Sequence, residues 1–151
     1  NISLHESDID QEIGKCDFQM ENQDLYKGNI QYIHISQKNY FQEARRGEGV
    51  GTPRLKLIHE VTKGKVALIG VGGLYSDKDF NKALNSGYSD FIAAGRASML
   101  NKDLAVLLKE GKGDKINLTL EPDHPEKYSI PKKLWDLCVI GGDWLPPLKP
   151  Q

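Results

Sequence analysis

From Gln31 to Gly111, short runs of β-branched and apolar residues alternate with longer amphipathic ones, the pattern of successive βα units on a parallel sheet. The first strand is Tyr32-Ile33-His34-Ile35-Ser36, with Ile33 and Ile35 on one face and Tyr32, His34 and Ser36 on the other. A connection over residues 37–51 leads to a helix with Thr52 as its N-cap. Pro53 takes the first helical position, where its missing donor costs nothing. Leu55, Ile58 and Val61 form the predicted buried stripe of this helix, and Gly64 stops it. The second strand, Val66-Ala67-Leu68-Ile69, is apolar on both faces and ends in Gly70-Val71-Gly72-Gly73. Ser76 and Asp79 have the spacing of a capping box, which predicts a helix burying Phe80, Ala83 and Leu84 with Gly87 just past its end. The third strand, Asp90-Phe91-Ile92-Ala93-Ala94, runs into Gly95-Arg96 and a short helical turn to Leu100. Asn101 is the predicted N-cap of a last helix, Lys102 to Glu110, with Leu104, Leu107 and Leu108 inward and Gly111 as its stop.

The flanks are less regular. Residues 1–29 hold a weak helical pattern (Ile9, Ile13, Leu25) broken by Gly14 and Gly28. Residues 112–151 carry every proline except Pro53, which favours a docked tail over a second domain. The expected organisation is therefore a linking segment (1–29), three βα units (30–111) and a C-terminal tail (112–151).

Charge removes some function classes. Lys plus Arg total 20 against 21 for Asp plus Glu, a formal net charge of -1, so no field draws nucleic acid or an anionic membrane. No apolar run reaches the roughly 20 residues of a membrane span, and the N-terminus lacks signal-peptide features, which makes the cytoplasm the expected compartment. Cys16 and Cys138 lie outside any metal-ligand spacing and read as two free buried thiols. His5, His59 and His124 pair with nothing at ligand spacing. The chain begins at Asn1 without an initiator Met, which suggests a processed product or a fragment of a longer protein.

The candidate chemistry lies at the strand ends. Two consecutive strands finish in glycine-rich turns, Gly70-Val71-Gly72-Gly73 and Gly95-Arg96, and in a βα barrel both turns open on one rim. Removing the β-carbon lets backbone N–H groups approach an anion, and phosphate commonly binds in the loops after the last two strands of such barrels. Arg96 fits there because its planar fork can hold two phosphate oxygens at once. The competing reading makes the glycines plain strand-end turns and Arg96 a solvated charge. Arg45-Arg46-Gly47-Glu48-Gly49 follows the first strand, as a solvated loop or a grip on a ligand at that rim, with Tyr40 and Phe41 as candidate lid residues. His34 and Ser36 share a strand face that either enters a site or satisfies a barrel interior.

Tyr32-Ile33-His34-Ile35-Ser36, Leu68-Ile69-Gly70-Val71-Gly72-Gly73-Leu74 and Asp90-Phe91-Ile92-Ala93-Ala94-Gly95-Arg96-Ala97 resemble strands six, seven and eight of the Old Yellow Enzyme family. Asn101-Lys102-Asp103-Leu104 resembles that family's Asn-Pro-Asp segment. The resemblance implies the C-terminal part of a TIM (βα)8 barrel from an NADH-dependent oxidoreductase. Hydride would pass from NADH through FMN to an activated alkene or similar small molecule. It implies that Gly72, Gly73, Gly95 and Arg96 hold the FMN phosphate, with backbone groups of Val71 and Ala94 as secondary contacts. The tail, with Trp135 and Trp144-Leu145-Pro146-Pro147, is similar to family C-termini that fold back near the barrel or a neighbouring subunit. The family's substrate-binding His/Asn or His/His pair and its tyrosine proton donor belong to earlier strands, so no catalytic residue is expected in this chain. Asn1-Ile2-Ser3-Leu4 resembles the end of strand five without its arginine. A whole barrel takes about 250 residues, so this chain holds less than half of one. Open sheet edges then predict self-association or docking with the remaining strands. Two other readings remain: an inert flavin- or phosphate-binding half-barrel, and a barrel enzyme acting on a sugar phosphate.

Overall fold

Short strands alternating with amphipathic helical segments predict a parallel sheet, and the computed structural model contains one. It describes the backbone of residues 2–4 and residues 30–47, 49–62, 64–142 and 144–150. The helical pattern around Ile9, Ile13 and Leu25, together with His5, Cys16 and Glu48, lies outside the described residues. Four strands run in the spatial order β1 (Ile2–Leu4), β2 (Tyr32–Ser36), β3 (Ala67–Val71) and β4 (Phe91–Ile92), all parallel. Ile33 pairs with Ile2 on one side and Leu68 on the other, and Ile69 pairs with Phe91. The helices are α1 (Arg54–Thr62), α2 (Asp77–Ser86), α3 (Arg96–Leu100), α4 (Leu104–Lys109) and α5 (Lys132–Ile140). The fold class is α/β.

The chain divides into two compact units, Asn1–Gly73 with Asn81–Ala93, and Leu74–Phe80 with Ala94–Gln151. In the first, the sheet has one buried face and one that is only partly covered. Ile33, Ile35 and Leu68 are buried, while Tyr32, His34, Ser36, Ile69 and Val71 of the opposite face are half-buried and Phe91 is exposed. Each fully buried aliphatic side chain contributes about 1.5–3 kcal/mol, so the period-two pattern sets which face is covered. The stripe of α1 is Leu55, Ile58 and Thr62 rather than Val61, with Arg54 fully buried beside it. Positions 55, 58 and 62 keep to one helical face better than 61 does. In α2, Phe80 and Ala83 are buried but Leu84 is exposed, because only part of the predicted stripe meets a neighbour.

The predicted third strand shrinks to two residues, and Asp90 is the reason. Its carboxylate accepts the Leu68 N–H at 2.8 Å and its own N–H donates to the Leu68 carbonyl at 3.0 Å. A side chain thus takes the place of a ladder partner. Ala93 donates to the Gly70 carbonyl, after which the chain leaves the sheet.

In the second unit a core forms from Leu100, Leu120, Tyr128, Cys138 and Leu145. Asn101, expected as an N-cap, is instead buried. Its amide donates to the Ala97 carbonyl (3.0 Å) and the Asn117 carbonyl (2.9 Å) and accepts the Asn117 N–H (2.7 Å). Asp103 stands at the start of α4 in its place. Asn101 therefore fastens the tail to α3, a task for which its two donors and one acceptor suit it. Leu104 and Leu107 are buried as expected, while Leu108 is half-buried. Cys138 is free and buried, and burial pushes its thiol pKa up.

Lys127 and Lys149 both bind the Glu121 carboxylate, the latter at 3.0 Å. These hydrogen bonds bring its pKa from 4.5 down to about 2. A carboxylate with a depressed folded-state pKa stabilises above its unfolded value and loses that contribution as pH falls through the folded one. The packing of the tail's own segments on one another is therefore predicted to weaken between pH 4.5 and about 2, seen as a change in Trp135 fluorescence that Glu121→Gln flattens. Asn101→Ala should lower stability by about 1–3 kcal/mol, since it removes the two hydrogen bonds to the Asn117 backbone and the one to the Ala97 carbonyl, read from the urea midpoint.

Candidate functional site

The glycine turn after β3 is shaped by a second loop lying directly against it. The connection leaving β2 hydrogen-bonds onto the strand end, Gln37 N–H to the Val71 carbonyl at 3.0 Å and Tyr40 N–H to the Gly72 carbonyl at 2.8 Å. A β-carbon on Gly72 would stand 2.7 Å from the Gln37 carbonyl oxygen and 2.8 Å from the Tyr40 nitrogen, both backbone atoms. Gly73 has φ +57°, and a β-carbon there would meet the Lys38 carbonyl at 2.8 Å. Packing thus requires both glycines. The same geometry leaves their donors pointing elsewhere, because the N–H groups of Gly72, Gly73 and Leu74 have no hydrogen-bond partner among the described residues.

Tyr40, read from the sequence as part of a lid, is an anchor. It is fully buried, its hydroxyl lies 2.7 Å from Ser89 Oγ, and Ser89 donates to the Phe91 carbonyl. Phe41 packs edge-on against Tyr40 and Tyr88, with the Lys82 ammonium 4.5 Å from its ring centroid. Side chains locked in this way cannot swing over a substrate without breaking the loop's core. Beyond them the loop is closed by Ala44 N–H to the Thr52 carbonyl, and Arg45 and Arg46 are exposed. The Nε2 of His34 is buried with no hydrogen-bond partner among the described residues.

In the second unit, Ala94, Gly95 and Arg96 open α3. The Ala94 carbonyl accepts Ser98 Oγ at 2.6 Å, and the Gly95 carbonyl accepts the N–H groups of Ser98 and Met99. Gly95 differs from the other glycines of interest. Its φ of -83° suits any residue, and a β-carbon there would have nothing within 4 Å. Neither backbone strain nor packing among the described residues calls for glycine at 95. Arg96 is half-buried rather than a freely solvated charge, and its guanidinium carbon lies 5.3 Å from the centroid of the Tyr75 ring. Burial raises the Tyr75 pKa, and the Arg96 charge opposes that rise. Tyr75 drew no notice in the sequence; its only signal there is an aromatic residue just past the glycine turn. It follows Leu74 at the start of the Ser76–Asp79 capping box, where the Asp79 carboxylate accepts the N–H groups of Tyr75 (3.2 Å) and Ser76 (2.9 Å). The Asp79 N–H in turn donates to Ser76 Oγ at 3.2 Å, as the sequence spacing predicted. No group of three or more metal-binding side chains occurs among the described residues, and no described helix is long and apolar enough to cross a membrane.

The class these observations define is an α/β protein whose parallel strands end in glycine turns, with an arginine after the last of them. Comparison with known proteins narrows it. The chain is similar to the NADH-dependent flavin oxidoreductase YqiG of Bacillus subtilis (strain 168), 32% identical over 117 residues that make up 78% of this chain and 31% of that protein. It is also similar to the 12-oxophytodienoate reductase 11 of Oryza sativa subsp. japonica, 37% identical over 81 residues, 53% of this chain and 20% of that one. No protein-family model matches. The chain belongs to the Old Yellow Enzyme family. It spans about a third of the first of these relatives and a fifth of the second.

The two kinds of glycine should respond differently to a methyl group. Gly72→Ala is expected to cost about 1–3 kcal/mol, since backbone must move to admit it. Gly95→Ala should stay within about 1 kcal/mol of the parent protein. Thermal or urea unfolding of both variants checks this.

Proposed function

We propose that this chain is the FMN-phosphate-binding portion of an NADH-dependent flavin oxidoreductase, forming the last βα units of a TIM (βα)8 barrel. The relatives' named activities support the reading, and one feature of the molecule carries it: Gly95 is a glycine that the described fold does not need, immediately before a half-buried arginine. A β-carbon withheld where there is open space fits a position kept clear for a ligand. The N–H groups of Gly72 and Gly73, without a partner among the described residues, suit an anion equally well.

In this reading Gly72 and Gly73 supply backbone donors to the phosphate, Arg96 supplies a bidentate cationic fork, and Gly95 gives clearance, with Val71 and Ala94 as backbone neighbours. When bound, the flavin supplies the hydride chemistry from NADH to an activated alkene or similar small molecule. These residues orient the cofactor and contribute no proton transfer. The substrate-binding pair and proton donor that the family resemblance implies have no counterpart in this chain, which by itself is inactive. The sheet's outer strands, β1 and β4, and its half-covered face with the exposed Phe91 are the surfaces that the remaining barrel strands, or a second copy, would cover.

The test uses the full-length protein carrying this sequence. It should retain flavin absorbance after desalting, and Arg96→Ala should weaken FMN about 10- to 100-fold, the range of a charged hydrogen-bond pair. Riboflavin, which lacks the phosphate, should bind both proteins alike. Equal loss of FMN and riboflavin would reject the phosphate role of Arg96.

A further inference from the structure

We infer that Tyr75 is a positioning residue for Arg96, holding the guanidinium against its ring so that the charged fork is already ordered when the flavin phosphate arrives. The inference rests on the FMN reading above. An arginine side chain has many rotamers, and ordering them on binding would weaken the contact, so a fixed platform increases what the side chain can contribute. Tyr75 is built as such a platform. Its backbone N–H is held by the Asp79 carboxylate, itself locked by the Ser76 capping box. Its ring packs against the core of Leu100, Leu120, Tyr128, Cys138 and Leu145. The guanidinium carbon stands 5.3 Å from the ring centroid, inside the range where a cation is attracted to an aromatic face. All of these residues lie in one unit, so the arrangement is intrinsic to it. The opposing effects of burial and of the Arg96 charge on the Tyr75 phenol agree with this contact.

The experiment titrates FMN and riboflavin separately into the flavin-free full-length protein and four variants, Tyr75→Leu, Tyr75→Phe, Arg96→Ala and the double variant Tyr75→Leu with Arg96→Ala. Tyr75→Leu should weaken FMN about two- to five-fold, the size of a partly exposed cation–π contact, and leave riboflavin unchanged. Tyr75→Phe, which keeps the ring, should bind FMN like the parent. Adding Tyr75→Leu to Arg96→Ala should cause no further loss. The inference is overturned if Tyr75→Leu weakens both flavins equally, if it weakens neither, or if Tyr75→Phe behaves like Tyr75→Leu. Arg96→Ala separates the two levels. If it leaves the preference for FMN over riboflavin intact, the phosphate reading fails and the role of Tyr75 with it. If it abolishes that preference while Tyr75→Leu does not reduce it, only the role of Tyr75 fails.

Discussion

The hydrogen bond from the Tyr40 N–H to the Gly72 carbonyl holds together the end of the sheet on which the candidate chemistry lies. It exists because Gly72 has no β-carbon; any other residue would put an atom within 2.8 Å of the Tyr40 nitrogen. Once Tyr40 is drawn in, its ring fills the core, and a β-carbon on Gly70 would stand 2.7 Å from that ring. Its hydroxyl then reaches Ser89, which leads into β4. One close approach between backbones thus couples the loop after β2 to the strand end of β3 and to the start of β4.

The same constraint produces exposed donors. A chain that turns sharply through glycines, with its carbonyls engaged on the loop side, leaves successive N–H groups without backbone partners. Successive free backbone donors are the raw material of anion-binding concavities in proteins generally. Packing already accounts for the glycines of this turn, so they alone are weak grounds for a phosphate site. Gly95 is stronger ground because the structural explanation is missing there.

The second unit is organised by polar fastenings as much as by its core. Asn101 satisfies both backbone groups of Asn117, and Glu121 gathers two lysines while its backbone N–H donates to the Tyr128 hydroxyl oxygen. These contacts hold residues that are far apart in sequence around Leu100 and Leu120. They also keep Tyr75 and Arg96 on a common base. The tail, expected from its prolines to dock, supplies much of the core against which Tyr75 packs.

Much of the local structure was legible in the residues themselves. Period-two alternation marked Tyr32–Ser36, reciprocal spacing marked the Ser76–Asp79 box, and Gly64, Gly87 and Gly111 all have the positive φ that helix stops use. These features depend on neighbours within a turn or a pleat, where the sequence carries the whole cause. The family resemblance was legible for a similar reason, since its motifs are contiguous strand ends. What tertiary structure alone decided was which partner each polar group found. Asn101 had the chemistry of a cap, but a backbone sixteen residues away claimed it; Asp90 looked like a strand residue and became a substitute for one; Tyr40 suggested a lid and is an anchor; Arg54 lies in a helix and is fully buried. Hydrogen-bonding groups settle on whatever donor or acceptor the fold delivers to them, and burial makes that choice binding because an unmatched group costs more than a local preference returns. Periodicity can identify a face, and only packing determines what that face touches.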